Sequence, residues 1–555
     1  MYIQNLSEIR KIMGYRKSDG YEMILEVYKI PAGYKIAGEI KGMVDDVELF
    51  SFPRPDRVLA NNWQSWGPAR VITKDFKLNF PKDLIEKFGF SASIMPEVYF
   101  DNLISDYFLA ADTFVIGALK SGIGHVYFKL SDDTVSVHVR YFGKMFDEWT
   151  SIEPIVVINL NPDDGLTYYA ELIAKENNVT FSSHNPVGWS SWYQYYLDFN
   201  YERMISDLEK SRELDLGYEV FQIDDAWEVD IGDWVPNEKF PSLKEVADKI
   251  ASYGYKPGIW LAPFSISETS SVFKNHRDWL VKNESGVPVV AYENWNKKIY
   301  ALDTTHPEAV EWLKNLFVGL KANGFDYFKI DFLFAGAIQG KRYAHNVSPI
   351  EAYRRGLKVI REAVGDSFVL GCGAPLLPSV GLVDGMRISA DTAPFWDPNS
   401  PDIGYPNAYY ALRNVITRNF MNNVLWWNDP DCLMLRKEDT QLSDAHRELY
   451  AVTSLLLDNM IIQSDNLSYE IDENLWNLVK KYKTYGRRKF KVRGLMSGRY
   501  KITSCGINGC DELVIEDLAT LQYKVNYDTP RIELSKVVEK RTDGRTFNYY
   551  IENNK

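Results

Sequence analysis

"YFKIDFLF", residues 327–334, is the stretch from which the fold can be read. A run this apolar reads as a strand buried on both faces, yet Lys329 and Asp331 stand two residues apart at its centre. Burying an unpaired charge costs several kcal/mol, so ions belong in such a segment only if they pair or do chemistry. Two readings follow: a structural Lys–Asp pair, or a catalytic carboxylate held by a cation.

Seven further runs of the same kind surround it. "GWSSWYQY" from Gly188, "YEVFQIDD" from Tyr218, "KPGIWLAPF" from Lys256, "SFVLGCG" from Ser367, "GMRISAD" from Gly385, "VLWWNDPD" from Val424 and "MIIQSD" from Met460 make eight strand candidates. Between them lie helical patterns such as 201–214, 310–324, 349–365 and 444–459. Eight strand–helix units over about 300 residues fit a (β/α)8 barrel. The longest insertion follows the third strand, from about Ser265 to Lys298. Polar residues fall at the C-terminal ends of these strands: Asp224 and Asp225, Asp331, Cys372, Asp391, Asp429 with Asp431, and Asp465. In a barrel that is the catalytic face, and stability alone does not explain six such ends.

The flanks differ. Residues 1 to about 178 alternate with a period of two, as in "DTVSVHVRYF", where Val135, Val137, Val139 and Tyr141 share one face. One segment there, "NNWQSWGP" at 61–68, reads as a contact loop. After the closing helix at 473–486 the chain alternates again. The expected fold is therefore of the α/β class: a central (β/α)8 TIM barrel (179–486) with an N-terminal antiparallel β-sandwich (1–178) and a small C-terminal antiparallel β domain (487–555).

At 555 residues the chain is long enough for two or three domains. Its 63 basic and 76 acidic residues give a net charge of −13, which argues against nucleic acid or an anionic membrane as partner. The sequence has no run of the roughly 18 consecutive apolar residues needed to span a bilayer. The N-terminus lacks a signal peptide's apolar core, so an intracellular, cytoplasmic protein is expected. Four cysteines are no disulfide framework. Cys505 and Cys510 flank an Asn-Gly turn and could bridge, but free thiols are the expectation. The seven histidines are scattered, and no P-loop or complete Gly-x-Gly-x-x-Gly occurs, so no metal or cofactor is indicated.

A retaining glycosidase needs one ionised carboxylate as nucleophile and one protonated carboxyl as general acid, about 5–5.5 Å apart. Lys329 and Asp331 share a strand face, which sets an ammonium beside the carboxylate and suits a nucleophile. Asp391 ends another strand, where Pro394, Phe395 and Trp396 could dehydrate it and raise its pKa. Arg387, four residues earlier, pulls the other way: pairing with Asp391 would weaken the acid role, and binding a sugar hydroxyl would leave it intact. Asp224 and Asp225 compete for the same roles. Ten tryptophans cluster near strand ends, and aromatic faces beside carboxylates suit sugars. Trp189 and Trp426 read as core; Trp66, Trp192 and Trp260 read as binding site.

"NNWQSWGP", "GWSSWYQY", "FQIDDAWE", "GDW", "GIWLAPF", "FKIDFL", "GCGAPL", "GMRISADTAPFW" and "NDPDCLMLR" resemble, in order and spacing from about 56 to 465, the motifs of the α-galactosidases in glycoside hydrolase family 36. The resemblance implies a retaining α-galactosidase of this sandwich–barrel–β-domain fold, cleaving terminal α-galactose from oligosaccharides such as melibiose and raffinose without a cofactor. It implies Asp331 as nucleophile and Asp391 as acid/base. It implies further that Asp224 and Asp225 bind O4 and O6, that Lys329 reaches O3 and O4, and that Cys372 and Arg387 lie near O2. Trp192 and Trp260 would wall the pocket, and Trp66 would close it from the sandwich. Arg387 then resembles a sugar-binding arginine more than a partner that keeps Asp391 ionised.

The competing readings within the family are an α-N-acetylgalactosaminidase and a galactosyl transferase of the raffinose synthase type. Cys372 and Arg387 near O2 leave little room for an acetamido group. A phosphosugar isomerase or aldolase would want glycine-rich phosphate loops, where this chain has "NDPDCL" and "QSDNLS". A non-catalytic sugar-binding protein would not need so many carboxylates. A homo-oligomer is compatible with the sequence, and a neighbour's loops could narrow the pocket.

Overall fold

The computed structural model describes residues 13–76, 102–182, 184–484, 488–506 and 509–527. The expected hairpin turn residue Asn508, the first 12 residues and the chain beyond 527 lie outside the described residues.

The apolar runs form eight parallel strands: β1 (Val187–Ser190), β2 (Val220–Ile223), β3 (Lys256–Leu261), β4 (Tyr327–Ile330), β5 (Phe368–Gly371), β6 (Gly385–Arg387), β7 (Trp427–Asp429, resuming as Cys432–Leu433) and β8 (Ile461–Gln463). Each pairs in parallel with the next, and β8 pairs with β1, so the ring closes. Every residue of β4 is buried, as strands sandwiched between barrel interior and helix layer require. The break in β7 falls at Pro430 and Asp431: proline has no N–H to give the ladder, and Asp431 takes φ 74°, outside strand geometry. Its side chain is fully buried there.

Helices return the chain between strands, and local chemistry fixes their starts. Asn200 caps Tyr201–Glu213 by accepting from the Arg203 N–H. Ser348 and Glu351 form a reciprocal capping box for Pro349–Val364, whose proline sits where no N–H is needed. After β3 the expected insertion forms a three-stranded antiparallel sheet, Ser265–Ser267, Val290–Asn294 and Lys297–Ala301.

The N-terminal strands form one continuous eleven-stranded antiparallel sheet. Its two long strands, Gly33–Pro53 and Thr134–Ser151, pair through three register shifts that bend the sheet. Val135, Val137, Val139 and Tyr141 all face its core. The alternation ends before residue 162: Asn161, Pro162 and two first-turn aspartates start the helix Pro162–Glu176, which buries Leu166, Tyr169, Ala170 and Ile173 on one face. At the other end, Lys489–Arg493, Tyr500–Gly506, Gly509–Asp517 and Gln522–Tyr527 form a four-stranded antiparallel sheet.

The free thiols expected at Cys505 and Cys510 are a correction: the two are disulfide-bonded. They stand directly opposite each other in the hairpin register, with Cα atoms 4.0 Å apart, which a two-strand pairing dictates. Cys372 and Cys432 are buried and free. No helix among the described residues is long and apolar enough to cross a membrane.

Candidate active site

Lys329 does not bond the carboxylate two residues along its own strand. Its ammonium reaches across the barrel to Asp224 Oδ2, 2.8 Å away at the end of β2. Both groups are buried. Burial works against the ammonium, but Asp224 first, with Asp331 behind it, more than compensates and holds Lys329 well above its ordinary pKa. The ammonium thus stands beside Asp331, as expected, but its hydrogen bond goes to Asp224. A strand places residues two apart on one face, but the inside of a closed barrel puts neighbouring strand ends within equal reach.

Asp331 is held instead by two neutral donors. The Trp260 indole donates to Oδ2 at 3.0 Å, and the Phe332 backbone N–H donates to Oδ1 at 2.8 Å. Phe332 adopts the left-handed conformation at φ 50°, which ends the strand at once and leaves the Asp331 carboxylate at the mouth. Two hydrogen bonds, one to each oxygen, fix the orientation of the Asp331 carboxyl group.

Arg387 is a hub. It donates to Asp391 Oδ1 at 2.9 Å through Nη1 and to Asp429 Oδ2 at 3.0 Å through Nε, and its Nη2 lies 2.6 Å from Asp431 Oδ1. The arginine does pair with Asp391, the first of the two arrangements left open by the sequence. One cation is nevertheless shared among three carboxylates. Asp391 is pushed up to about 7: withdrawal from water comes first, then the Asp431 charge, and Arg387 offsets only part of this, with Asp331 adding a further push. Asp391 keeps about a third of its side chain open to solvent, the most accessible carboxyl of the three.

Asp224 also accepts from Ser190 Oγ at 3.3 Å, tying β1 to β2. Beside it, Asp225 accepts from the Trp295 indole at 2.8 Å and meets the carboxyl of Glu228. Burial raises the pKa of both acids, Glu228 most, so a proton between them is favoured. Trp295 belongs to the insertion after β3, and nothing in the sequence's periodicity or motifs marks it. Glu228 was legible only as the last letter of "DDAWE".

The loop 61–68 seats on the barrel. Ser65 N–H donates to Ala374 O at 2.9 Å, Ala374 N–H returns a bond to Ser65 Oγ at 3.1 Å, and the buried Arg418 donates to Ser65 O at 2.7 Å. These bonds deliver Trp66, whose indole donates to Cys372 Sγ at 3.4 Å and packs edge-on against Phe332, 5.0 Å between centroids. Gly373 leaves room for it: a Cβ there would lie 2.9 Å from the Trp66 ring, at a residue already at φ +54°. Trp192 is half-buried in the short helix Trp192–Tyr195 directly after β1. Trp189 and Trp426 are fully buried. Asp224, Asp225, Trp260, Lys329, Asp331, Cys372, Arg387, Asp391 and Trp66 thus form one connected cluster at the C-terminal mouth.

A closed parallel barrel that gathers a fixed carboxylate, a carboxyl poised near neutrality and a wall of indoles at this mouth defines a glycoside hydrolase. The model for "Alpha-galactosidase, N-terminal" matches residues 26–159 and the "Melibiase" model matches residues 163–351. Alpha-galactosidase Mel36A of Lactobacillus acidophilus is 35% identical over 105 residues, which are 17% of this chain and 14% of that protein's length. An alpha-galactosidase from Thermus thermophilus, solved in complex with p-nitrophenyl alpha-D-galactopyranoside, is 25% identical. It superposes with a TM-score of 0.71 over 88% of this chain and 98% of that one. AgaA of Geobacillus stearothermophilus, a GH36 alpha-galactosidase, shares the fold with a TM-score of 0.60 at 12% identity, over 89% of this chain and 73% of its own. The chain belongs to glycoside hydrolase family 36, the family of these α-galactosidases.

Proposed function

We propose that the protein is a retaining α-galactosidase that hydrolyses terminal α-galactosyl residues of oligosaccharides such as melibiose and raffinose. The observation that carries this reading is the contrast between two neighbouring carboxyls: Asp331 held by two donors, and Asp391 raised to about 7. Asp331 attacks the anomeric carbon while protonated Asp391 gives its proton to the departing oxygen, and the β-galactosyl ester forms on Asp331. Forming the ester removes the negative charge of Asp331, which is one of the groups raising the Asp391 pKa. Asp391 thereby becomes a stronger acid once the ester has formed: it is protonated when the leaving oxygen needs a proton and ionised when water must be deprotonated. Water then releases α-galactose.

In this reading Asp224, Asp225 and Lys329 take the polar edge of the galactose ring, with Trp192, Trp260 and Trp66 as apolar walls. The Trp66–Cys372 contact closes one wall and favours a sugar without an acetamido group. The p-nitrophenyl galactoside and stachyose complexes of the Thermus neighbour support the substrate class. Proton NMR of p-nitrophenyl α-galactoside cleavage tests the reading, with the α-glucoside and α-N-acetylgalactosaminide as controls. Only the galactoside should react, with α-galactose appearing before mutarotation. β-Galactose as first product, or preference for another sugar, would refute it.

A further inference from the structure

Tyr196 stands at the edge of this site in a left-handed backbone conformation, between the short helix after β1 and the turn that follows it. It ends the short helix after β1 with φ 46° and ψ −135°, a region that bulky side chains rarely enter. Its ring is 41% exposed, although it packs edge-on against Trp192 at 5.3 Å and lies 6.4 Å from the ring of Tyr193. Tyr193 donates to Asp431, which pairs with the same Arg387 that bonds Asp391. The phenol lies within electrostatic reach of Asp391, Asp431 and Arg436, on the acid side of the cleft. Strain of this kind clusters at functional sites, and a glycine would occupy the position without it.

We propose that Tyr196, packed against the Trp192 wall of the galactose pocket, forms the platform on which the leaving-group sugar rests. The inference rests on the α-galactosidase reading. The leaving group departs on the side from which its oxygen is protonated, so an exposed aromatic residue packed on Trp192 and Tyr193, within electrostatic reach of Asp391, meets that sugar and not the galactosyl ring. A tyrosine supplies both an apolar face for the sugar's C–H groups and a hydroxyl for one of its oxygens. Tyr196 is therefore a specificity-determining residue, while Asp331 and Asp391 do the chemistry.

The experiment compares wild type, Tyr196→Gly and Tyr196→Phe on melibiose and on α-galactosyl fluoride, whose leaving group is too small to touch a platform. Tyr196→Gly should lower kcat/KM on melibiose roughly three- to tenfold, as the loss of one aromatic contact implies. It should leave the fluoride rate unchanged and raise Tm, because the backbone strain is gone. Tyr196→Phe, which keeps the ring, should recover most of the melibiose activity. Equal losses on both substrates, or an unchanged melibiose rate in Tyr196→Gly, would overturn the platform. A wild type that cleaves neither galactoside would refute the α-galactosidase reading itself, a result distinct from either of those.

Discussion

Replacing Asp431 with Asn keeps its shape and its acceptor for the Thr392 N–H (2.8 Å) but removes the charge that, after burial, does most to raise Asp391. Carboxylates on neighbouring arms of one guanidinium are on the order of 6 Å apart. With an effective dielectric of about 20, Coulomb's law gives roughly 3 kcal/mol between them. At 1.36 kcal/mol per pKa unit that is about two units, and the partial exposure of Asp391 screens it to about one. Freeing Arg387 from one partner acts in the same direction. The Asp391 pKa should therefore fall from about 7 to about 6. The alkaline limb of the kcat/KM profile on melibiose, where leaving-group protonation matters, reports this group in the free enzyme. That limb should move down by about one pH unit, costing about tenfold in rate above neutrality. A limb that stays in place, or moves up, would refute the assignment of Asp391 as the acid and of Asp431 as its tuner.

Three other outcomes follow from the same geometry. Asp331→Ala should lose turnover while keeping its fold, and added azide should restore part of it by standing in for the missing nucleophile; full activity in that variant would remove Asp331 from the mechanism. Arg418→Met deletes buried bonds to Asn61, Ser65 and Ile388 (2.9, 2.7 and 2.8 Å) that join the sandwich loop to the barrel, and should cost about 3 kcal/mol or more in chemical unfolding while raising KM as Trp66 loosens. Asp207 is fully buried and its carboxyl is raised to about 7 by that burial, against hydrogen bonds from Tyr195 and the Leu467 N–H. A folded pKa above the unfolded one stabilises fully below about pH 4, and this is lost as pH rises through 7, so the group should withdraw up to about 4 kcal/mol over that window. Urea unfolding of Asp207→Asn should show a flatter pH dependence than wild type.

The architecture was legible because its signals are local. Eight apolar runs with acids at their ends, and a switch from period two to strand–helix alternation, follow from how each segment must bury its face, and the structure has a strand at each of those eight places. The helix Pro162–Glu176 shows the limit of that reading: its capping and its buried stripe were in the sequence, but the strand alternation before it dominated the window. The disulfide shows another limit, since only the hairpin register sets Cys505 against Cys510.

What the sequence by itself determined was which acids, indoles and strand ends this protein has at its catalytic face, because spacing along a strand fixes both burial and direction. What only the tertiary structure decided was how those groups pair. Lys329 bonds Asp224 and not Asp331, Arg387 divides itself among Asp391, Asp429 and Asp431, and Trp295 arrives from an insertion to hold Asp225. Partners separated by 105, 42 and 70 residues meet only when the barrel closes, and charge interactions depend on distance in space, with no regard to distance along the chain.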